Sequence, residues 1–435
     1  MKPIGRFFGL DGETTTWGRE LRAGAATFLT MAYILFVNPA ILGEAGMPRQ
    51  DVLVATALAA ALGSLLMGVV ANYPFALAPG MGLNAYFAYT VVRTMGVPWP
   101  VALGAVFLEG VLFVLLTLLG LRRALVTGIP MALKQAIMTG IGLFLALIGL
   151  HNAGLVVFSA TTGLSLGPLH EPTAWLALIG LLLTASLLIR RVTGAILLGI
   201  LFTTALGWAL GVSDPPNRVW DWPRWPSETF LALDIRGALD LGLLTVVFTF
   251  LFVSILDATG TLIGLARLGG FLDARGDLPR ADRAFLADSV GISLGALLGT
   301  STVTAYVESA TGIEEGGRTG LVAVVVSLCF LLALFLGPLI EAIPLYATAP
   351  ALVLVGAFMM RGVEEIPWQR YEEAIPAFLT IALIPLTYSI AHGIAGGIIS
   401  YAAVHLFSGR GRTVSGVLYV LALLLVARYI WLGAD

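Results

Sequence analysis

Four carboxylates stand in stretches that are otherwise apolar. Asp257 lies within FTFLFVSILDATGTLIGLARLGGF (248–271) and Glu308 within GTSTVTAYVESATG (299–312). Asp288 opens a further apolar stretch, and Glu109 sits in VFLEGVLFV (106–114). An ionisable group inside a membrane span costs several kcal/mol and marks a functional site by default. Asp257 and Glu308 are the strongest pair. Thr261 follows Asp257 by four residues and so shares its helix face. Asp288 suits a helix cap or dipole partner as well as a proton site, and Glu109 suits a helix-packing hydrogen bond equally well. Two carboxylates without a fixed basic partner favour neutral or cationic ligands that offer N–H donors. Tyr86 and Phe87 in LNAYFAYT (83–90), and Tyr306 two residues before Glu308, suit either a flat ring or helix packing.

The composition requires a membrane. Of 435 residues, 58% are hydrophobic and only 11% charged, against about 25% charged in soluble domains. Apolar stretches close to 20 residues long recur along the chain and read as transmembrane helices. Candidate spans fall at roughly 20–43, 51–71, 79–95, 100–120, 127–150, 173–190, 192–211, 239–266, 284–299, 301–313, 318–339, 346–360, 373–390 and 392–408. An apolar tail follows at 414–432 and is left open between a fifteenth span and an interfacial helix. The N-terminal segment is polar and lacks a signal-peptide core, so span 1 is expected to stay. With the N-terminus inside, the cytoplasmic loops collect Arg122, Arg123, Arg190, Arg191, Arg267, Arg275, Arg280, Arg283, Arg361, Arg370, Arg410 and Arg412, as the positive-inside rule requires. The aromatic segment SDPPNRVWDWPRWPSETF (213–230) then falls outside. Lys134 reads as a residue snorkelling to the cytoplasmic edge.

Several classes are excluded. The net charge is −2 with no basic block, and the chain has one cysteine, so neither nucleic-acid binding nor an internal disulfide is expected. The four histidines form no metal-ligand pair, and nucleophile-elbow and phosphate-loop motifs are absent. No metal, cofactor or enzymatic activity is expected. A protease with two intramembrane aspartates would leave the repeat described next without a role.

Thr27-Phe28-Leu29 recurs as Thr249-Phe250-Leu251, LGSLL (62–66) as LGALL (294–298), LNAYFAYT (83–90) as VTAYVESA (303–310), and Ile129-Pro130 as Ile343-Pro344. The offsets are 222, 232, 220 and 214 residues, in one order. The repeat covers seven spans, an odd number, so the second half must run upside down. Inverted repeats that carry a pair of interrupted helices are the signature of secondary transporters. The interruptions are FALAPGMGLNAYFAYTVV (75–92), where Pro79, Gly80 and Gly82 break span 3 beside Asn84, and GTSTVTAYVESATG in span 10. Open backbone at membrane depth is tolerated only where it is buried in protein or lines a cavity. The expectation is therefore that both breaks face a common cavity with Asn84 at its lip.

At these residues the chain resembles a known family. APGMGLNAYFAYTVV, ILDATGTLIGLA and GTSTVTAYVESATGIEEGGRTGL are similar to the signature segments of purine permeases in the azaguanine-resistance branch of the nucleobase–cation symporter superfamily (the nucleobase–ascorbate transporter fold). That branch carries hypoxanthine, guanine and often adenine. The resemblance implies an all-α polytopic membrane protein with fourteen spans as a 7+7 inverted repeat. It implies core-domain segments at 1–122 and 231–340, gate-domain segments at 123–230 and 341–412, and a tail at 413–435. It places a purine nucleobase between the broken helices, with Gly82, Asn84, Asp257, Thr261 and Glu308 as binding residues, flanked by Tyr86, Phe87 and Tyr306. The acid retained at Glu308 favours purines with an N1–H donor, and Thr261 in place of a histidine argues against a uracil-type site. Asp257, Glu308 and Asp288 are the candidates for proton coupling. The expected partners are a purine, a coupling proton, the lipid bilayer of the cytoplasmic (inner) membrane and a second copy of the chain through the gate domain. The rival within this fold is a sulfate- or bicarbonate-type anion carrier, whose site would present neutral donors or a base where Asp257 and Glu308 stand.

Overall fold

The computed structural model describes residues 5, 7–10, 15–120, 129–159, 163–240, 243–274 and 276–432; Arg122, Arg123 and Arg275 lie outside them. Its first half comprises α1 (Trp17–Met31), α2 (Ile34–Gly43), α3 (Arg49–Leu66), β1 (Leu77–Pro79), α4 (Met81–Ala85), α5 (Trp99–Leu118), α6 (Met131–Asn152), the hairpin β2 (Val156–Ser159) and β3 (Gly163–Leu166), α7 (Pro172–Ile189) and α8 (Ala195–Ala209). The second half comprises the short α9 (Ile235–Ala238), α10 (Leu244–Gly269), α11 (Ala281–Leu298), β4 (Val303–Ala305), α12 (Ser309–Glu314), α13 (Leu321–Ala333), α14 (Gly337–Glu341), α15 (Leu345–Met359), α16 (Tyr371–Leu386) and α17 (Ile390–Phe407), followed by α18 (Gly416–Leu432). Each expected span has a counterpart in this order, and the chain is a multi-pass membrane protein. Among the described residues, nine helices are long and apolar enough to cross a bilayer by length and composition. The tail 414–432 forms the helix α18, packed against α17.

Local chemistry accounts for the ends and breaks. Thr16 caps α1, its hydroxyl accepting from the Arg19 N–H, as N-cap threonines do. Span 1 breaks at Ala32 and Tyr33 before α2 resumes. α3 runs on as a π-helical turn over Met67–Ala71 and stops at Asn72, which is left-handed at φ 52°. The Asn72 side-chain oxygen accepts from the Gly320 N–H at 2.7 Å, tying spans 2 and 11. α4 likewise continues as a π-helix over Tyr86–Thr94.

The two broken spans meet as a ribbon. β1 pairs antiparallel with β4, with Leu77 opposite Ala305, Ala78 opposite Thr304, and Pro79 opposite Val303. The Gly80 N–H donates to the Thr302 carbonyl at 2.8 Å and the Tyr306 N–H to the Ala76 carbonyl at 2.9 Å. Proline biases the residue before it toward extended backbone, and β-branched Val303 and Thr304 suit a strand. This revises one expectation. The interrupted backbone is paired across the two halves rather than left open to a cavity. Gly80 is needed for close approach, not for an unusual φ: its φ is −76°, and a Cβ there would lie 2.8 Å from the Thr304 methyl.

The repeated LG motif has a physical reason here. Gly63 of LGSLL and Gly295 of LGALL lie under the ribbon. A Cβ on Gly63 would stand 3.2 Å from Leu77 Cβ and 3.3 Å from Val303 Cγ1; one on Gly295 would stand 2.7 Å from Val303 Cγ2. Around this centre the helices pack in two groups. α1, α3, α5, α10, α11, α12 and α13 pack among themselves, and so do α6, α7, α8, α15, α16 and α17.

Gly295→Val should force Val303 and the ribbon out of register. Overpacking of this kind costs about 1–3 kcal/mol. The expected result is a clearly lowered melting temperature of the purified protein in detergent. Gly264→Ala, where no atom lies within 4 Å of the added Cβ, should leave it unchanged or slightly raised.

Candidate functional site

The carboxylates identified in the sequence divide into two environments. Asp257, midway along α10, and Glu308, at the N-cap of α12, are partly exposed. Glu109 and Asp288 are fully buried. The Thr304 hydroxyl lies beside the Asp257 carboxyl, and Glu308 is near enough to act on it electrostatically. Glu308 Oε1 accepts from the Tyr33 hydroxyl at 2.6 Å.

The face of α10 that carries Asp257 is open. Gly260, Thr261 and Gly264 follow at three, four and seven residues, the spacing of one helix face. Gly260 and Gly264 are exposed, and nothing lies within 4 Å of where their Cβ atoms would be. Thr261 is partly exposed. Val307, next to Glu308 at the break in span 10, is 59% exposed. These accessible positions on α10 and beside Glu308 outline a candidate cleft. Asp257, Thr261 and Glu308 are the predicted residues that border it.

The remaining predicted residues are placed differently. Asn84 is fully buried, with its Oδ1 accepting from the Ser301 hydroxyl and its Nδ2 without a partner. It lies between the two broken elements, and in this conformation it is not at the lip of the cleft. Tyr86 is fully buried edge-on against Phe250, ring centroids 4.8 Å apart, and Phe87 is fully buried. Tyr306 is 5% exposed, and its hydroxyl donates to the Pro79 carbonyl at 2.5 Å, locking the two breaks together. A Cβ on Gly82 would lie 2.6 Å from Ile141 Cγ2 of α6: glycine here lets the two helix groups approach. Asp288 Oδ1 accepts from the Ala305 N–H at 3.0 Å, so it supports the ribbon from below.

Sequence reasoning missed Tyr33, Ser301, Thr302 and Thr304. Tyr33 sits at the break of span 1, yet its residue type alone reads as packing. The run TSTVT (300–304) showed hydroxyls at every other position or closer, a sign that these side chains satisfy something polar. No cluster able to hold a metal occurs among the described residues.

Carboxylates beside two inverted and interrupted helices are features of membrane transporters. Residues 18–396 match the Permease family in its xanthine/uracil permease form, and the chain belongs to that family. It is 52% identical to a protein of Methanocaldococcus jannaschii named as a permease, across 100% of this chain and 99% of the relative. It is 43% identical to the adenine permease AdeP of Escherichia coli (99% and 96% covered). It is 42% identical to the guanine/hypoxanthine permease PbuO of Bacillus subtilis (96% and 98% covered). In fold it resembles the transmembrane domain of the cyanobacterial bicarbonate transporter BicA, with a TM-score of 0.66, 17% identity, and 87% and 98% covered. At that identity the likeness is one of fold alone.

The geometry of the cleft is testable by thiol labelling. With Cys329, the sole cysteine, replaced by serine, Val307→Cys and Gly264→Cys should react with a water-soluble maleimide in membranes open to the reagent on both sides. Phe87→Cys and Asn84→Cys should resist it. Equal labelling at all four positions would contradict the cleft.

Proposed function

We propose that this permease imports purine nucleobases (hypoxanthine, guanine and adenine) by proton symport across the cytoplasmic membrane. The observation that carries the reading is the pair of partly exposed carboxylates, Asp257 and Glu308, on one cleft. Identity above 40% to adenine and guanine/hypoxanthine permeases over almost the whole chain supports the substrate class. Carboxylates accept from ring N–H groups, and charge-assisted hydrogen bonds of this kind are among the stronger ones. Thr261, on the same face, adds a hydroxyl. The first N–H groups of the Met81–Thr94 helix lack intrahelical acceptors and suit a ring oxygen or nitrogen at the other edge. Gly82 keeps that approach narrow. Asn84, Tyr86, Phe87 and Tyr306 shape the elements behind the site.

In this reading the first helix group, with the ribbon, is a core domain (1–122 and 231–340). The second is a gate domain (123–230 and 341–412), with 413–435 as a tail outside both. The separation of packing between the groups supports a rigid-body motion of core against gate that exposes the site alternately, with both termini cytoplasmic and two copies meeting through their gate domains. Asp257, Glu308 and Asp288 are the carboxylates available to the coupled proton, which the membrane potential drives with about 2.3 kcal/mol per charge per 100 mV. An anion carrier would have to meet two carboxylates at its binding cleft, which disfavours that rival.

Asp257→Asn and Glu308→Gln should each cut uptake of labelled hypoxanthine and adenine by about tenfold or more, as loss of a hydrogen bond to a charged group predicts, with the protein still in the membrane. Wild-type uptake in both variants would refute the site. A proton ionophore should collapse accumulation; persistence of uptake that depends on sodium would refute proton symport. Excess guanine should compete, whereas excess sulfate should not.

A further inference from the structure

Glu109 has no part in the solute site, yet it is a fully buried carboxyl with a donor on each oxygen. It lies midway along α5 and is 0% exposed. Ser254 of α10 donates its hydroxyl to one carboxyl oxygen. Thr302, immediately before β4, donates to the other at 2.7 Å. Three elements thus converge on one acid, and all the direct partners are neutral hydroxyls. Ser254 lies three residues before Asp257, so the two occupy neighbouring positions on one helix face. Thr302 and Thr304 are two residues apart, as same-side positions of an extended segment are, and Thr304 lies beside Asp257. Glu109 is therefore the dry end of a polar seam whose wet end is Asp257 at the cleft.

The charges around it leave it without a counter-ion among the described residues. Asp288 of α11 is in electrostatic reach and has the same sign. Asp257 is the nearest acid on α10. The other ionisable groups on elements packed against α5 are Tyr86 and Tyr89 on the helix after α4, and charges near the helix ends. Arg93, Asp234 and Arg236 lie toward the Trp99 end, and Arg267, Asp282 and Arg283 toward the other; all six are exposed. A buried carboxylate without a cation is costly, and a buried acid resolves that cost by holding a proton. Its two hydroxyl partners can accept from the acid form or donate to the anion, so the site is equipped for both states.

We propose that Glu109 holds the coupled proton of the transport cycle. The inference rests on the proton-symport reading above and moves the coupled proton from the solute-contacting carboxylates to this interior site. The proton binds a Glu109 carboxyl oxygen when the core faces the outside and leaves to the cytoplasmic water after the solute has gone. Glu109 touches the ribbon through Thr302 and the Asp257 helix through Ser254, so its charge state bears on the elements that form the binding cleft.

The test uses the full chain in phosphatidylethanolamine/phosphatidylglycerol vesicles. Two quantities are measured: exchange of labelled for unlabelled hypoxanthine without a gradient, and accumulation under an imposed pH gradient. A gradient of about one pH unit sustains about tenfold accumulation in a one-proton symporter. Glu109→Gln, which mimics the proton-loaded acid, should retain exchange and lose the gradient-driven accumulation. Wild-type accumulation by Glu109→Gln overturns the proposal. If Glu109→Gln also abolishes exchange, Thr302→Val decides. Removing one donor disfavours the anion, so the proton stays bound to higher pH, and the curve of uptake against external pH should shift upward with an unchanged KM for hypoxanthine. An unmoved curve overturns the proposal. Absence of hypoxanthine-dependent proton uptake by the wild type is a different result: it refutes symport itself, whatever Glu109 does.

Discussion

The structure depends on one constraint: backbone amides at the middle of a membrane must find partners inside the protein. Two helices are interrupted there, and each supplies the other's missing bonds. Three residues of β1 pair with three of β4, and the flanking N–H groups of Gly80 and Tyr306 extend the pairing. Side chains complete it. Ser64 of α3 exchanges hydrogen bonds with Leu77, Asp288 accepts from Ala305, Ser309 accepts from Ala76, and Tyr306 donates to Pro79. The ribbon requires glycines beneath it and hydroxyls around it, and both appear in the sequence as the repeated LG motif and the TSTVT run.

Because the ribbon joins one half of the chain to the other, the two halves are bonded into one packed unit. Asn38 illustrates the same interlocking: its amide donates to Thr56 at 2.7 Å in the first half and to Thr300 at 2.8 Å in the second. The other helix group meets this unit at glycines, as where Gly82 packs against Ile141 and Gly194 against Leu29. This arrangement suits the core-against-gate motion proposed above.

Electrostatics then divides the acids by access to water. In the proposed site, Asp257 and Glu308 are the partly exposed pair, where a solute with N–H donors would replace water. Glu109 and Asp288 are fully buried, and each is held by hydroxyl or amide donors instead. The division gives the two pairs different chemistry from the same functional group. One pair is available to recognise a solute, and the other is available to organise the ribbon and to carry charge that water cannot stabilise.

Much of this was legible in the sequence. Apolar run lengths, loop arginines and the odd-span repeat determine a polytopic membrane chain folded as two inverted halves, because hydrophobic thickness and repeat parity are properties of order along the chain. Asp257 and Glu308 were legible as candidates because a charge inside a span is visible without coordinates, and Thr261 because it stands four residues on, on the same helix face. The pairing of the two breaks was not, since a glycine–proline interruption reads the same whether its backbone meets a cavity or another strand. Nor was the burial of Asn84, Tyr86 and Phe87, or the attachment of Tyr33 to Glu308 across 275 residues. These depend on which helix faces meet. Only tertiary packing decides that, because the hydrogen-bond partners and the neighbouring side chains come from the opposite half of the chain.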